Sequence, residues 1–357
     1  MTPNRVLRRE STPERTHLWV APPFDGPPTG GTLYNAALAR ALSERGARCL
    51  RIDVGDAMAR LLSPVEYAYW VDSLYLAAVP ELARANVHRA PMRLVVHYLP
   101  SLVSRGDGAE RSRAERDERA ALEIVDGCLV TSAYMARCLT AGGVPADRIV
   151  VVEPAVPAWL PTDVDPPPSS EVRALLVANL SPAKGLLELI GTLAESMISA
   201  SDLRLTVVGS LEMDADYSEA CRRFVDGVAA LRTSVDLVGP LPHEGVLRRM
   251  MGSDVVVSAS AMESYGMVLA EARALGLPIL ALRGGNVDSH VGPESGGALF
   301  PDIGALVRDL IRLARDRNEL RRRQGLARSA RRTRSWDEAA VEFLSTFGAD
   351  RAGDGDA

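Results

Sequence analysis

The sequence has almost no lysine. Of its 41 basic residues, only Lys184 is a lysine and the others are arginines. Because an ammonium is a compact point charge that a guanidinium does not replace, this single lysine is a candidate for a specific role. The sequence also lacks a basic excess, since its net charge is -5. Nucleic-acid binding, which needs such an excess to displace counterions, is therefore disfavoured, and a small-molecule partner is favoured.

Cysteine is scarce and scattered. The four cysteines form no CxxC pair and have no spacing typical of a zinc site or a disulfide framework. We expect reduced, mostly buried thiols. The first 17 residues are polar and arginine-rich without the apolar stretch of a secretory signal, and no run of about 18 apolar residues occurs. These features predict a cytoplasmic protein.

Several motifs of common enzyme classes are also missing. The sequence contains no GxGxxG, no GxxxxGK[ST] and no GxSxG, so dehydrogenase, P-loop and α/β-hydrolase functions lose their main support. Asp214-Ala-Asp216 has the form of a metal-binding DxD. Its polar context instead indicates acidic residues at the start of an exposed helix, and we predict no metal site.

What the sequence does have is a regular alternation of short apolar, β-branched runs with longer helical segments. This pattern predicts parallel βαβ units, and 357 residues suffice for two α/β domains. Strands are predicted near residues 17–21, 49–54, 93–98, 127–132, 149–153, 174–179, 203–209, 235–238, 254–258 and 278–282. Helices are predicted between them, notably over 32–45 and 109–124.

A proline-rich stretch separates the two halves. Residues 157–170 contain five prolines, which neither a helix nor a central strand accommodates. We therefore predict a first domain over 1–156, a linker over 157–170, a second domain over 171–334 and a frayed tail over 348–357. Ligands of open parallel sheets bind beyond the carboxyl ends of the strands, so the site is expected in the cleft between the domains.

The most informative motif lies in residues 254–277. A buried strand leads through a short loop to a helix predicted to start near Tyr265 or Gly266, with Glu263 before the helix and Glu271 eight positions later. The first N–H groups of this helix, those of Gly266, Met267 and Val268, form an anion site suited to a diphosphate. Two carboxylates beside it can accept hydrogen bonds from a pyranose and a ribose.

Residues 263–271 resemble the E-x7-E signature of retaining GT-B glycosyltransferases, in particular glycosyltransferase family 4 (glycosyl transferases group 1). The resemblance implies two facing Rossmann-like domains. It further implies that Glu263 contacts the donor sugar, that the following backbone contacts the diphosphate, and that Glu271 holds the ribose. The alternative is an ordinary capped helix with two surface carboxylates.

Other motifs extend the resemblance. Residues 177–185, VANLSPAKG, are similar to the family's GRL-x3-KG turn, in which an arginine and a lysine clamp the pyrophosphate. Lys184 matches the lysine, whereas Asn179 occupies the arginine position. An amide donates hydrogen bonds but does not neutralise a leaving diphosphate. Residues 237–241, ending at Leu241, resemble the strand and loop beside the nucleotide base.

Two further motifs lie in the first half. Gly30 and Gly31 resemble the family's Gly-Gly loop near the donor phosphate and the acceptor, and His97 resembles the histidine that approaches the donor sugar. A plain strand-to-helix turn and a structural histidine are the alternatives. Residues 335–347 resemble the family's last helix, which crosses back onto the first domain. Residues 283–290 replace the commoner GG-x-P-E loop, and an altered donor or acceptor preference is expected there.

The resemblance implies a retaining, metal-independent glycosyltransferase that uses a nucleotide sugar, with UDP as the expected nucleotide, and no further cofactor. The acceptor is a hydroxyl of a small molecule, glycan or natural product. The alternatives on the same fold are a sugar-nucleotide epimerase, a pseudo-glycosyltransferase and a non-catalytic nucleotide-sugar-binding subunit. Residues 308–334 carry eleven arginines against three acids. We interpret them as a solvated helix face, with peripheral contact to anionic lipid as the alternative.

Overall fold

The computed structural model describes residues 16–25, 29–63, 67–103, 108–161, 169–196 and 202–347. The middle of the predicted linker and the predicted tail lie outside these ranges. Pro28, shortly before the predicted Gly-Gly loop, also lies outside them. The described residues form two parallel sheets of six strands each. This arrangement confirms the predicted α/β fold class.

The first sheet has the strand order β2-β1-β3-β4-β5-β6. Its strands are β1 (Thr16–Val20), β2 (Cys49–Ile52), β3 (Tyr67–Asp72), β4 (Met92–Val96), β5 (Gly127–Val130) and β6 (Ile149–Val151). Its helices are α1 (Gly30–Glu44), α2 (Val54–Leu61), α3 (Val79–Ala85), α4 (Pro100–Val103), α5 (Gly108–Ile124) and α6 (Ala133–Ala141). Short 3-10 helices occupy Ser73–Ala78 and Ala146–Arg148.

The second sheet has the order β12-β11-β10-β7-β8-β9. Its strands are β7 (Val172–Val177), β8 (Leu203–Val208), β9 (Val235–Gly239), β10 (Val255–Ser258), β11 (Ile279–Leu282) and β12 (Ala298–Phe300). Its helices are α7 (Leu186–Glu195), α8 (Ala215–Gly227), α9 (Ala229–Ser234), α10 (His243–Met251), α11 (Met267–Leu275), α12 (Ile303–Arg315) and α13 (Arg317–Ser329). Three 3-10 helices span Pro182–Lys184, Val287–Ser289 and Pro293–Ser295.

Two strands were not predicted from the sequence. β12 has only three residues. β3 reads YAYWVD, in which two tyrosines, one tryptophan and one valine favour a strand, so its composition carried a signal that the prediction missed. It lies inside the first sheet, between β1 and β4. The predicted helix start near Tyr265 or Gly266 was early, because α11 begins at Met267 and Gly266 is its N-cap.

The last helix, α14 (Trp336–Phe347), returns to the first sheet. Its Phe343 is fully buried against Trp19 and Trp70, with ring centroids 6.3 Å and 4.7 Å away. Buried aromatic side chains contribute strongly to core packing. The chain therefore crosses between the two sheets twice, once after β6 and once before α14.

The arginine-rich helices α12 and α13 pair many of their charges internally. Arg312 and Arg323 bind Asp309 at 2.7 Å and 2.8 Å, and Arg322 binds Glu319 at 2.6 Å. In the described part of the chain, no helix has both the length and the apolarity that are needed to cross a bilayer. Asp214 accepts a hydrogen bond from the backbone N–H of Tyr217 and caps α8.

Candidate active site

The loop before α11 connects the two domains. Ser132, directly after β5, donates its hydroxyl to the carbonyl oxygen of Ser264 at 2.6 Å. Tyr265 donates its phenol to the carbonyl oxygen of Pro154 at 3.3 Å. A Cβ on Gly30, the first residue of α1, would lie 3.7 Å from the sulfur of Met267. Residues 263–267 therefore lie in the cleft, in contact with the carboxyl end of the first sheet.

Lys184 and Glu263 form an ion pair in this cleft. The Lys184 Nζ lies 2.7 Å from Glu263 Oε1, and their side chains are 29% and 21% exposed. Their loops follow β7 and β10 and are joined by a hydrogen bond from Ala261 N to Ala183 O. Gly185 has a φ of 65°, and a Cβ there would lie 2.4 Å from the Ala259 carbonyl oxygen. The glycine thus permits the close approach that brings the charged groups together.

The N-terminus of α11 lies directly after Glu263. Gly266 has a φ of 90°, which favours glycine, and no side chain of the described residues caps the helix there. The first N–H groups of a helix have no partner within the helix, and they carry the positive end of its dipole. Together with the ammonium of Lys184, this helix end offers hydrogen-bond donors that suit an anionic ligand.

The loop after β11 holds the Glu263 loop in place. Asn286 donates its backbone N–H to Glu263 O at 2.7 Å and its amide to Tyr265 O at 3.1 Å. His290 also contacts Tyr265 O, through Nε2 at 2.6 Å, so that this nitrogen carries a proton. A Cβ on Gly285 would lie 2.2 Å from Glu263 O. The segment that departs from the family pattern therefore supports the Glu263 loop.

Glu271 is buried behind the helix start and bonded to a histidine. Its side chain is 4% exposed, and its Oε1 lies 2.6 Å from His243 Nε2. Burial alone would lower the pKa of His243, but the hydrogen bond and the charge of Glu271 raise it above its ordinary value. His243 was not predicted as a site residue, although it is the first residue of α10, directly after the 237–241 motif.

In the first domain, His97 belongs to a buried polar network. Its Nε2 lies 3.0 Å from Asn35 Oδ1 and 3.3 Å from Asp72 Oδ2, and Asn35 donates to the same carboxylate oxygen at 2.6 Å. Burial alone would raise the pKa of Asp72, but His97 and the carboxylate's hydrogen bonds hold it below its ordinary value. Since Nε2 faces two oxygens, it carries a proton. Asn35 and Asp72 were not predicted from the sequence.

The two glycines at the start of α1 have different neighbours. A Cβ on Gly31 would lie 2.9 Å from Cδ2 and 3.1 Å from Cγ of His97, whereas Gly30 faces Met267. Thr29 and Thr32 form a capping box that fixes this turn. The Gly-Gly pair therefore brings the His97 ring against the α1 start, next to the contact with the second domain.

Asn179 and Leu241 lie in loops of the second domain. Asn179 Oδ1 accepts a hydrogen bond from the backbone N–H of Ser210 at 2.9 Å, which ties the loop after β7 to the loop after β8. Leu241 packs against the apolar cluster that includes Leu247 and Val256. The oxygen of the Asn179 amide thus has a structural use, and the donor-binding roles of both residues remain predictions.

Comparison with known proteins identifies a domain in the second half. Residues 164–331 match the family model "Glycosyl transferases group 1". The chain is 26% identical over 243 residues to the MMP alpha-(1->4)-mannosyltransferase of Mycolicibacterium hassiacum, covering 65% of this chain and 56% of that protein. It is 26% identical over 347 residues to the D-inositol 3-phosphate glycosyltransferase of Segniliparus rotundus, covering 93% of this chain and 74% of that protein.

Solved structures share the fold across both domains. The complex of Anabaena Alr3699/HepE with UDP and glucose has a TM-score of 0.75 at 16% identity, covering 94% of this chain and 100% of that chain. Sucrose-phosphate synthase from Thermosynechococcus elongatus has a TM-score of 0.73 at 19% identity, covering 94% and 98%. The fold is GT-B, and residues 164–331 are similar to the glycosyl transferases group 1 family.

Proposed function

We propose that this chain is a retaining, metal-independent glycosyltransferase that moves a sugar from a nucleotide diphosphate, with UDP as the expected nucleotide, to an acceptor hydroxyl. The Lys184–Glu263 pair at the N-terminus of α11 is the observation that carries the proposal. It joins a cation, a carboxylate and free backbone N–H groups in the cleft between two domains. The structural neighbour bound to UDP and glucose supports the choice of nucleotide.

The charges of the site match those of the reaction. As the bond between the sugar and the diphosphate breaks, negative charge grows on the leaving phosphate, and groups that are already oriented toward it lower the barrier. Lys184 has three donors, so its ammonium can retain Glu263 while it contacts a phosphate oxygen. Glu263 then accepts hydrogen bonds from sugar hydroxyls, and Glu271, held by His243, accepts those of the ribose.

We propose substitution on one face of the sugar, which retains the configuration at C1. The acceptor oxygen forms the new bond to C1 while the bond to the diphosphate breaks, and the acceptor proton passes to a leaving phosphate oxygen. His97, with its Nε2 fixed by Asn35 and Asp72, orients the donor sugar from the first domain. Closure of the cleft would exclude water and so limit hydrolysis of the donor.

The test is to incubate the purified chain with UDP-, GDP- and ADP-sugars and follow nucleotide release and product formation. The names of the relatives make a mannose donor and D-inositol 3-phosphate reasonable first trials. NMR of the product gives the anomeric configuration. A product of inverted configuration would refute the retaining mechanism, and a failure to bind any nucleotide sugar would refute the proposal itself.

Substitutions at the Lys184–Glu263 pair test whether these residues carry the activity. Lys184→Met and Glu263→Gln are expected to reduce transfer at least 100-fold, about 3 kcal/mol of transition-state stabilisation. Glu171→Gln is the matched control, because it removes one carboxylate from another ion pair of the same domain, with Arg204 at 2.9 Å. Full activity in both site variants would contradict the assignment of these residues.

The same assay separates the alternatives. Asn179, in place of an arginine and already bonded to Ser210, gives a specific reason to consider a non-catalytic subunit that keeps a nucleotide site. Such a subunit would bind the nucleotide sugar and release no nucleotide with any acceptor. An epimerase would convert the donor without an acceptor-linked product.

A further inference from the structure

A second cavity lies where the chain crosses between the domains. Its volume is about 260 Å³, and it is lined by the segment after β6, by one side of α11, and by residues 332–334 before α14. Val156 N donates to Arg334 O at 3.0 Å, so the two crossing segments are bonded to each other beside it. Lys184, Glu263, Glu271 and His97 are not among its lining residues. The cavity is therefore distinct from the candidate donor site.

Three guanidinium groups line this cavity, those of Arg273, Arg332 and Arg334. Burial, and then the charge of Arg332, lower the pKa of Arg273, whereas Tyr265, Glu294 and Glu153 act in the opposite direction. Arg334 forms an ion pair with Glu342, but its Nε is buried and has no partner among the described residues. The Arg334 guanidinium thus keeps a buried donor that lacks an acceptor among the described residues.

Two carboxylates also line the cavity. Glu338 is bonded to the backbone N–H and the hydroxyl of Ser335, where it caps the start of α14. Glu153 is the other lining carboxylate. Within the described ranges, Arg273 and Arg332 form no ion pair with a carboxylate, and Arg273 donates to the carbonyl oxygen of Ser289 at 2.9 Å. These two guanidinium groups are therefore available to hydrogen-bond an anionic ligand.

A buried acceptor lies beside the cations. His290 is 4% exposed and lines the cavity, and its Nδ1 is buried without a partner among the described residues. Burial lowers the pKa of His290 to about 4, so the ring is neutral at physiological pH. Because its proton is on Nε2, facing Tyr265 O, the free Nδ1 is an acceptor. A buried polar atom without a partner destabilises the fold, and a ligand hydroxyl would supply that partner.

We propose that this cavity binds a phosphate group, as inorganic phosphate or as the monoester of a small metabolite. The arginines would bind the anionic oxygens, as guanidinium groups do well. The His290 Nδ1 would accept the proton of a phosphate or metabolite hydroxyl. The volume admits a phosphate and a few more atoms, but not a nucleotide sugar.

The proposed ligand would also contact the support of the donor site. His290 bonds to Tyr265 O, and Tyr265 belongs to the same loop as Glu263. The Tyr265 phenol bonds to Pro154 O of the first domain. Occupancy of the cavity would therefore fix the two domains against each other and couple to donor binding.

The test uses inorganic phosphate as the probe and the melting temperature of the full chain as the first readout, at an ionic strength kept constant with chloride. A ligand that binds only the folded state raises the melting temperature. Phosphate should raise it in the parent chain but not in Arg332→Gln or Arg273→Gln. Arg315→Gln, which removes an exposed arginine at the end of α12, is the control and should respond like the parent.

The donor site also suits anions, so a second set of measurements separates the two. The response to phosphate should persist in Lys184→Met and in the presence of saturating UDP. Isothermal titration should show phosphate affinity reduced at least tenfold in the two cavity variants. A response that is lost in Lys184→Met but kept in Arg332→Gln would assign the phosphate to the donor site and overturn the proposal. An equal response in all variants, or no response in the parent chain, would also overturn it. These outcomes do not depend on whether the chain transfers a sugar.

Two monoesters, a glucose phosphate and an inositol phosphate, serve as further probes. They distinguish a metabolite from inorganic phosphate as the ligand of the cavity. A monoester that binds more tightly than phosphate and loses its affinity in Arg332→Gln would identify a metabolite site. Equal affinities would identify a site for the free ion.

Discussion

Gly31→Ala should displace the His97 ring. The new Cβ would lie 2.9 Å from His97 Cδ2, whereas ordinary contacts begin at 3.4 Å. The ring would have to withdraw by about 0.5 Å, yet its Nε2 is held by buried Asn35 and Asp72, and Tyr34 packs on it with ring centroids 5.3 Å apart. Overpacking of this kind typically costs about 1–3 kcal/mol. Alanine recovers about 1 kcal/mol in a helix, so we expect only a modest loss of stability, about 0–2 kcal/mol.

Activity should respond more strongly than stability. Misplacing a positioning group by about 1 Å can reduce a rate about 100-fold, so a shift of about half that distance should reduce kcat/KM roughly tenfold. Gly30→Ala is the matched control, because its Cβ would lie 3.7 Å from the Met267 sulfur, an ordinary contact. The assay compares initial rates of nucleotide release for both variants, with melting temperatures measured in parallel.

A double-mutant cycle with His97→Ala gives the decisive result. If Gly31→Ala acts only by moving the imidazole, it should have no further effect on kcat/KM once the imidazole is removed. Additive losses would show that Gly31 acts on another group. A Gly31→Ala variant as active as Gly30→Ala would refute the argument that the close contact fixes a functional histidine.

Three further predictions follow from the geometry of the second domain. Since Lys184 is the only lysine, amine-reactive labelling followed by mass spectrometry measures the reactivity of its amine directly. A nucleotide sugar should slow this labelling, and Glu263→Gln should accelerate it. Unchanged rates would contradict the Lys184–Glu263 pairing. The raised pKa of His243 means that the stability it contributes is full below its ordinary pKa and is lost as the pH rises through the raised value. The difference in unfolding free energy between the parent and His243→Gln, from urea titrations, should therefore shrink from pH 6 to pH 9, and a constant difference would refute it. Gly285→Ala should displace the Glu263 loop and reduce activity at least tenfold, since its Cβ would lie 2.2 Å from Glu263 O. Gly143→Ala, at a φ of 94° with open space around it, is the control for backbone strain, and equal activities would contradict the clash.

The part of the candidate site that lies in the second domain could be predicted from the sequence, because Glu263 and Glu271 are close together in the chain. Glu263 and Glu271 lie on one strand-loop-helix unit, and the geometry of such a unit follows from local patterns. Lys184 stood out by composition alone. The contact between Lys184 and Glu263 could not be read in the same way, since it depends on β7 and β10 being neighbours in the sheet.

The partners of His97 illustrate why the rest was missed. Asn35 lies in an amphipathic helix, where a single amide is unremarkable, and Asp72 ends the one long strand that was not predicted. Only the order β1-β3-β4 brings the ends of β3 and β4 together, and no pattern within either segment encodes that order. His243 and His290 are comparable, because each acquires its partner from another element of the second domain.

The unusual loop at residues 283–290 sharpens the question of what Asn179 does. Suppose that a chain with Asn179 in place of the arginine had no transfer activity. Its Glu263 loop would then not need to be held closely by its neighbours. Instead, Gly285 fits against Glu263 O, and Asn286 and His290 both bond to Tyr265 O. Such packing leaves little freedom to the loop, and fixed orientation is what transition-state stabilisation requires. The position of Glu263 is therefore maintained with Asn179 in the place of the arginine, which supports the proposed transfer over a non-catalytic subunit.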